Sequence, residues 1–148
     1  MREAALRLLE RSRRTRSELT RKLREKGFAA TVIGEVLDRL AGVGLVDDVE
    51  YARAFLSSRL GRRTAGWRRL EVELRRRGIS AQDAASARAR LDDQGALDEA
   101  EGARRVIRQV AARYERLDPR VRRQRLYALL ARRGFDGDVI ERVLREAL

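Results

Sequence analysis

Few residue types in this chain could carry chemistry, and the first to weigh are two acidic pairs, Asp47 with Asp48 and Asp92 with Asp93. Adjacent carboxylates can hold a magnesium ion, as in nucleases, because hard oxygen ligands suit a hard cation. Both pairs fall where helices are expected to begin or end, so capping of exposed backbone amides accounts for them more simply. Histidine and cysteine are absent, which removes imidazole bases, thiol nucleophiles, disulfides and the usual zinc ligand sets. No glycine-rich run ends in Gly-Lys-Ser/Thr, so the phosphate-cradling loop of nucleotide-binding enzymes is missing. The expectation is a chain with no catalytic residue, no metal ligand and no cofactor.

The basic residues carry more weight. Of 148 residues 35 are basic and 23 acidic, a formal net charge of +12, and all the basic residues except Lys22 and Lys26 are arginine. The planar, always charged guanidinium pairs with phosphate or carboxylate in two-point fashion, so such a surface suits nucleic acid or an acidic protein face. The excess is spread evenly, with 11 basic against 6 acidic residues in 1–46, 11 against 8 in 47–96 and 13 against 9 in 97–148. It therefore belongs to the folded units and not to a basic tail. Candidate contacts are Arg21, Lys22, Arg24 and Lys26 in one expected helix, and Arg68, Arg69, Arg75, Arg76 and Arg77 in a second, preceded by Arg62 and Arg63. A third expected helix adds Arg122, Arg123, Arg125, Arg132 and Arg133. For a single arginine a solvated helix face is an equal account; recurrence in three helices favours contact with several phosphates, which would make binding fall steeply with salt. Phe28, Phe55, Phe135 and Tyr51 occupy apolar helical positions and read as core, while Trp67 can be either a packing anchor or a contact. A stacking platform for single strands thus lacks its exposed rings.

The elements that position these residues follow from a repeat. Leu19-x3-Leu23-x3-Gly27-Phe28 recurs as Leu70-x3-Leu74-x3-Gly78-Ile79 and Leu126-x3-Leu130-x3-Gly134-Phe135, with glycines 51 and 56 residues apart. Leucines four apart share a helical face. Glycine four residues later suits the left-handed residue that closes a helix, bringing the apolar residue after it against the second leucine. Gly44-Leu45-Val46-Asp47-Asp48 matches Gly95-Ala96-Leu97-Asp98-Glu99 at the same 51-residue offset. Asp47 with Glu50, Asp98 with Glu101 and Thr15 with Glu18 resemble capping boxes, and Asp118-Pro119 places proline at a first helical position. The patterning predicts helices over about 2–13, 16–26, 30–41, 47–60, 65–77, 81–91, 98–117, 120–133 and 137–147, with no sustained strand alternation. The fold class is all-α: three tandem three-helix repeats over 1–44, 45–95 and 96–148, forming an elongated, curved array of about nine helices. Units near fifty residues sit at the lower edge of independent stability and lean on their neighbours. The helix over 81–91 is poor in bulky residues and is expected to pack shallowly or to be more mobile.

The run Gly44-Leu45-Val46-Asp47-Asp48-x-x-Tyr51-Ala52-x-x-Phe55-x-x-x-Arg59 resembles the central signature of the RecX family of recombination regulators. Gly66 through Glu73, Leu74 and Arg77-Gly78-Ile79 resembles the second half of that signature, and the flanking units fit the family's flanking repeats. The resemblance implies a non-enzymatic, cytoplasmic modulator that lies in the helical groove of the RecA filament on single-stranded DNA. It would restrain strand exchange, ATP hydrolysis and coprotease activity, and so act in DNA repair and the SOS response. The partners expected are the RecA filament and the single-stranded DNA within it, with no membrane, and a monomer is expected in solution. The alternative from charge alone is direct nucleic-acid binding by helix-turn-helix-like units. The chain starts almost at its first helix, without the upstream extension many relatives carry, so contacts made by such an extension are not expected.

Overall fold

The computed structural model describes residues 1–60, 65–93 and 98–148, Leu60 by its backbone alone. Its helices are α1 (Arg2–Arg11), α2 (Arg16–Glu25), α3 (Ala30–Gly42), α4 (Asp48–Leu60), α5 (Trp67–Arg76), α6 (Ala81–Asp93), α7 (Glu99–Tyr114), α8 (Pro119–Arg132) and α9 (Gly137–Ala147). Among the described residues there are nine helices and no strand. Arg62, Arg63 and the Gly95-Ala96-Leu97 match lie outside them. Two helices end early: Ser12 adopts extended backbone (φ −166°, ψ 159°) and stops α1, while the chain after Tyr114 closes a turn with Leu117 N–H donating to Tyr114 C=O at 3.2 Å.

The leucine–glycine repeat acts as a helix stop in all three copies. Gly27, Gly78 and Gly134 take φ of +93°, +87° and +90°, a region that costs other L-residues about 1–2 kcal/mol. The two bonds of the left-handed stop are present each time. Gly27 N–H donates to Arg24 C=O and Phe28 N–H to Leu23 C=O, with the equivalent pairs at Gly78 and Gly134. Gly44 ends α3 in the same way, with φ +77° and Leu45 N–H donating to Leu40 C=O. At the helix starts, Thr15 and Glu18 form a complete capping box. Asp47, Asp98 and Asp118 accept from Glu50, Glu101 and Arg120 amides respectively.

Among the described residues, three separate small cores replace one large one. Leu8, Leu19, Leu23, Ile33, Leu37, Leu40 and Val46 build the first. Ala52, Phe55, Leu56, Trp67, Leu70, Leu74, Ile79, Ala84, Ala87 and Leu91 build the second. Val106, Val110, Leu126, Leu130, Phe135, Ile140, Val143 and Leu144 build most of the third. Burying a leucine or valine side chain contributes about 1.5–3 kcal/mol, so each unit draws its cohesion from a handful of such residues. The expected shallow seating of α6 is not observed. Ala84 and Ala87 are fully buried and α6 packs along α4, because small side chains let two helix backbones approach closely.

Candidate functional site

Successive units are joined by the same contact used twice. In the first joint the leading residue of α2, Arg16, donates its backbone N–H to Asp48 Oδ1 at 2.9 Å. Asp48 is the first residue of α4 in the next unit. In the second joint the leading residue of α5, Trp67, donates its N–H to Glu99 Oε1 at 3.2 Å, and Glu99 is the first residue of α7. Donors 16 and 67 and acceptors 48 and 99 each differ by the 51-residue offset of the repeat. Beside this bond, the residue one step earlier reaches the turn before glycine. Thr15 Oγ1 donates to Arg77 C=O at 2.7 Å, and Gly66 N–H donates to Arg133 C=O at 2.9 Å.

Close approach makes the glycines of the joints necessary. A Cβ on Gly78 would fall on the Ser17 side chain, one on Gly134 on the Arg69 backbone and Cβ, and one on Gly66 on the Gly134–Phe135 backbone. At Gly27, whose turn faces no preceding unit, a Cβ would meet nothing within 4 Å. The second joint is the more heavily tied. Arg68 N–H donates to Gly134 C=O at 3.1 Å, and Arg68 Nε pairs with Asp136 at 2.8 Å. Arg88 lies over the Trp67 ring at 4.7 Å and pairs with Glu99 at 3.3 Å and Asp136 at 3.6 Å. Burial pushes the Glu99 carboxyl above the ordinary carboxylate range, partly offset by Arg88. Burial likewise raises Asp48, partly offset by the Arg16 amide.

These contacts assign the residues first considered for chemistry. Asp47 caps α4, Asp48 holds the neighbouring unit, and among the described residues no group of three or more acidic side chains is placed to hold a metal ion. Asp92 and Asp93 are exposed at the end of α6. Trp67 is a buried packing anchor, 9% exposed. The residues missed by sequence reasoning are Asp48 and Glu99 as joint acceptors, and Arg88. The duplicated acid pair was the available signal, since each pair needs only one cap.

Models of the first, second and third three-helix domains of RecX match residues 2–40, 47–87 and 98–144. The regulatory protein RecX of Thermobifida fusca is 40% identical over 147 residues, covering 99% of this chain and 78% of that protein. The chain belongs to the RecX family. The family's regulatory protein from Mycobacterium ulcerans is 40% identical over 141 residues, covering 93% of this chain and 79% of its own length. The crystal structure of RecX from Lactobacillus salivarius superposes with a TM-score of 0.89 at 25% identity, over 98% of this chain and 92% of that one. A second RecX crystal structure gives 0.80 at 25% identity, over 96% and 70%.

Against this family architecture the arginines divide into two groups. Arg77 bonds the Tyr51 hydroxyl at 2.6 Å and lies 4.8 Å from the centre of the Phe55 ring, which Arg59 also covers. Arg68, Arg75 and Arg123 pair with Asp136, Glu71 and Glu141. Arg122 has its Nε buried, and Arg133 is half-buried and partnered. Arg21, Arg24, Lys26, Arg69, Arg76, Arg125 and Arg132 are exposed, Lys22 is half-buried, and none of these makes an ion pair among the described residues. Aligned on the repeat, the position before the glycine is basic in all three units, as Lys26, Arg77 and Arg133. At two of those three places its carbonyl serves a joint. Two clefts flank the first joint. One of about 550 Å³ carries Arg16, Arg21 and Arg24 beside Gly78, and one of about 280 Å³ carries Leu9, Arg13 and Arg14 beside the signature residues Leu45, Asp47 and Tyr51. No helix among the described residues is long and apolar enough to cross a membrane.

Proposed function

We propose that this chain binds the RecA filament on single-stranded DNA, lies in its helical groove and restrains strand exchange, ATP hydrolysis and coprotease activity. The observation that carries this reading is family membership along the whole chain, one matched domain for each three-helix unit. The array supports it, because joined units present their exposed arginines along a length suited to a repetitive partner. Arg21, Arg24, Arg69, Arg76 and Arg132 are the contacts the geometry favours, being exposed and uncommitted to internal carboxylates. The same proposal includes a cytoplasmic monomer acting in DNA repair and the SOS response without catalysis of its own, and unit boundaries near 44/45 and 95/96.

Fluorescence anisotropy with labelled single-stranded DNA, with and without RecA and a slowly hydrolysed nucleotide, tests it. Tighter binding to the filament than to the bare strand is expected, and equal affinity for both rejects the filament reading. The unpaired arginines also favour a second reading, direct nucleic-acid binding, for which each phosphate contacted on a single strand contributes about −0.7 to the slope of log affinity against log salt. A bare-strand slope near zero removes that reading. Reversing Arg24, Arg69 and Arg76 to glutamate leaves the joint bonds in place and is expected to weaken filament inhibition at constant helical content. Unchanged inhibition shows that another face makes the contact.

A further inference from the structure

The two joints place an acidic side chain where two helix N-termini converge. Each N-terminus carries about half a positive charge and unsatisfied amides, so α2 meeting α4, or α5 meeting α7, is unfavourable unless an oxygen acceptor stands between them. Asp48 and Glu99 supply that acceptor. Each belongs to the first turn of one helix and accepts the leading amide of the other. The second bond of each joint, to the carbonyl before the glycine, fixes rotation about the first. Two bonds of different direction define an angle between rigid units, whereas the three cores, each confined within its unit, do not.

We propose that this repeated acid–amide clamp sets the relative orientation of successive basic helices, making Asp48 and Glu99 positioning residues for partner binding. The charge of α2 and α5 is useful to a long, regular partner only when their spacing and angle match its repeat. The clamp fixes both. The first joint, with one hydroxyl and one carboxylate bond, is the looser; the second adds the Arg68 and Arg88 pairs. The inference that orientation governs binding rests on the filament reading above, while the clamp itself does not.

The chain lacks cysteine, so spin labels can be placed on exposed Thr31, Gln82 and Gln109 in pairs that span the first joint (31 with 82) and the second (82 with 109). Distances by pulsed electron resonance are expected to be narrow in the otherwise unaltered full chain. Asp48→Ala should broaden the first distribution and leave the second unchanged, and Glu99→Ala should do the reverse. Asp48→Asn and Glu99→Gln keep a carbonyl oxygen for the amide and should restore narrow distributions, a rescue that also serves if an alanine variant folds poorly. Filament affinity should fall about tenfold in Asp48→Ala, in proportion to the lost fraction of aligned joint, and recover in Asp48→Asn. Unchanged distributions in both alanine variants overturn the clamp, and a broadened joint with unchanged filament affinity overturns its role in binding. If the unaltered protein does not bind the filament, the functional reading falls, and the distances alone decide whether the clamp exists.

Discussion

Replacing the repeat glycines one at a time separates the energy of the helix stops from that of the joints. Gly27, Gly78 and Gly134 share a left-handed backbone, so alanine at any of them incurs the same conformational cost of about 1–2 kcal/mol. At Gly27 nothing else happens, because no atom lies within 4 Å of the added carbon. At Gly134 the carbon collides with the Arg69 backbone and Cβ, and α5 must move away from the turn or remain strained. Moving away breaks the Gly66–Arg133 and Arg68–Gly134 bonds, each about 1 kcal/mol net. Remaining strained costs about 1–3 kcal/mol by overpacking. Gly134→Ala is therefore expected to lose about 2–5 kcal/mol in total. For a chain of this size one kcal/mol moves the melting point by about 2–4 °C, so Gly134→Ala should melt about 10 °C low and Gly27→Ala about 4 °C low. The assay has a built-in reporter: Trp67 is the only tryptophan and sits in the second joint. Its fluorescence should change before far-ultraviolet dichroism in Gly134→Ala and together with it in Gly27→Ala. Equal losses for the two variants would refute the joint as a source of stability.

Three further outcomes follow from the same geometry. Glu99 has a folded pKa raised by burial, so its ionisation opposes folding at neutral pH, and its contribution improves as pH falls from the raised value to the ordinary carboxylate range. Glu99→Gln should flatten that part of the pH–stability curve measured by urea unfolding, whereas Glu99→Ala, which strips Arg88 and the Trp67 amide of an acceptor, should lose about 2–3 kcal/mol. Thr15→Val should lose about 1–2 kcal/mol, as the hydroxyl both caps α2 and donates to Arg77, while Thr15→Ser retains most of it in thermal melts. Half-buried Glu50 and Glu101 and exposed Glu146, each held low by an arginine hydrogen bond, contribute in the opposite sense; stability from them is present above the ordinary carboxylate range and lost as pH falls through their depressed values, so Glu101→Gln should reduce acid sensitivity.

Helix ends were legible because their signals are local. The leucine pair, the glycine and the following apolar residue lie within ten positions, and each copy formed the bonds that this spacing dictates. The joints were not legible as joints, although their residues stood in plain view. Asp47 with Asp48 and Asp98 with Glu99 read as helix starts, and Asp47 and Asp98 are indeed caps. The second acid of each pair serves a helix 32 residues earlier, a distance at which neither periodicity nor propensity carries information. The deep seating of α6 was illegible for a different reason. Side-chain bulk is not the measure of packing there, because alanine permits the close helix pairing that α4 and α6 adopt. Basic residues recur by helix but share a single position across all three units, the one before the glycine, so charge counting located the basic helices without separating free guanidinium groups from those tied to Tyr51, Asp136 or Glu141.

The third unit does not offer the donor that the two joints use. A head-to-tail contact has two unlike surfaces and extends indefinitely unless one end is altered. The position in the third unit that corresponds to Arg16 and Trp67 is Arg123, by the 56-residue spacing of its glycine. Arg16 and Trp67 open their helices and have amides to give. Helix α8 instead begins at Pro119, and the amide of Arg122 is already bonded to Asp118 C=O at 2.8 Å. Arg123 lies one residue deeper in the helix, where the backbone ladder takes its N–H. Residues 119–122 thus precede the position that opens α2 and α5, and the third unit has no leading amide there to give. Polarity follows from sequence in this way: the acid in the first turn of α4 or α7 receives and the leading amide of α2 or α5 gives, whereas α8 opens with Asp118-Pro119 and has no such leading amide.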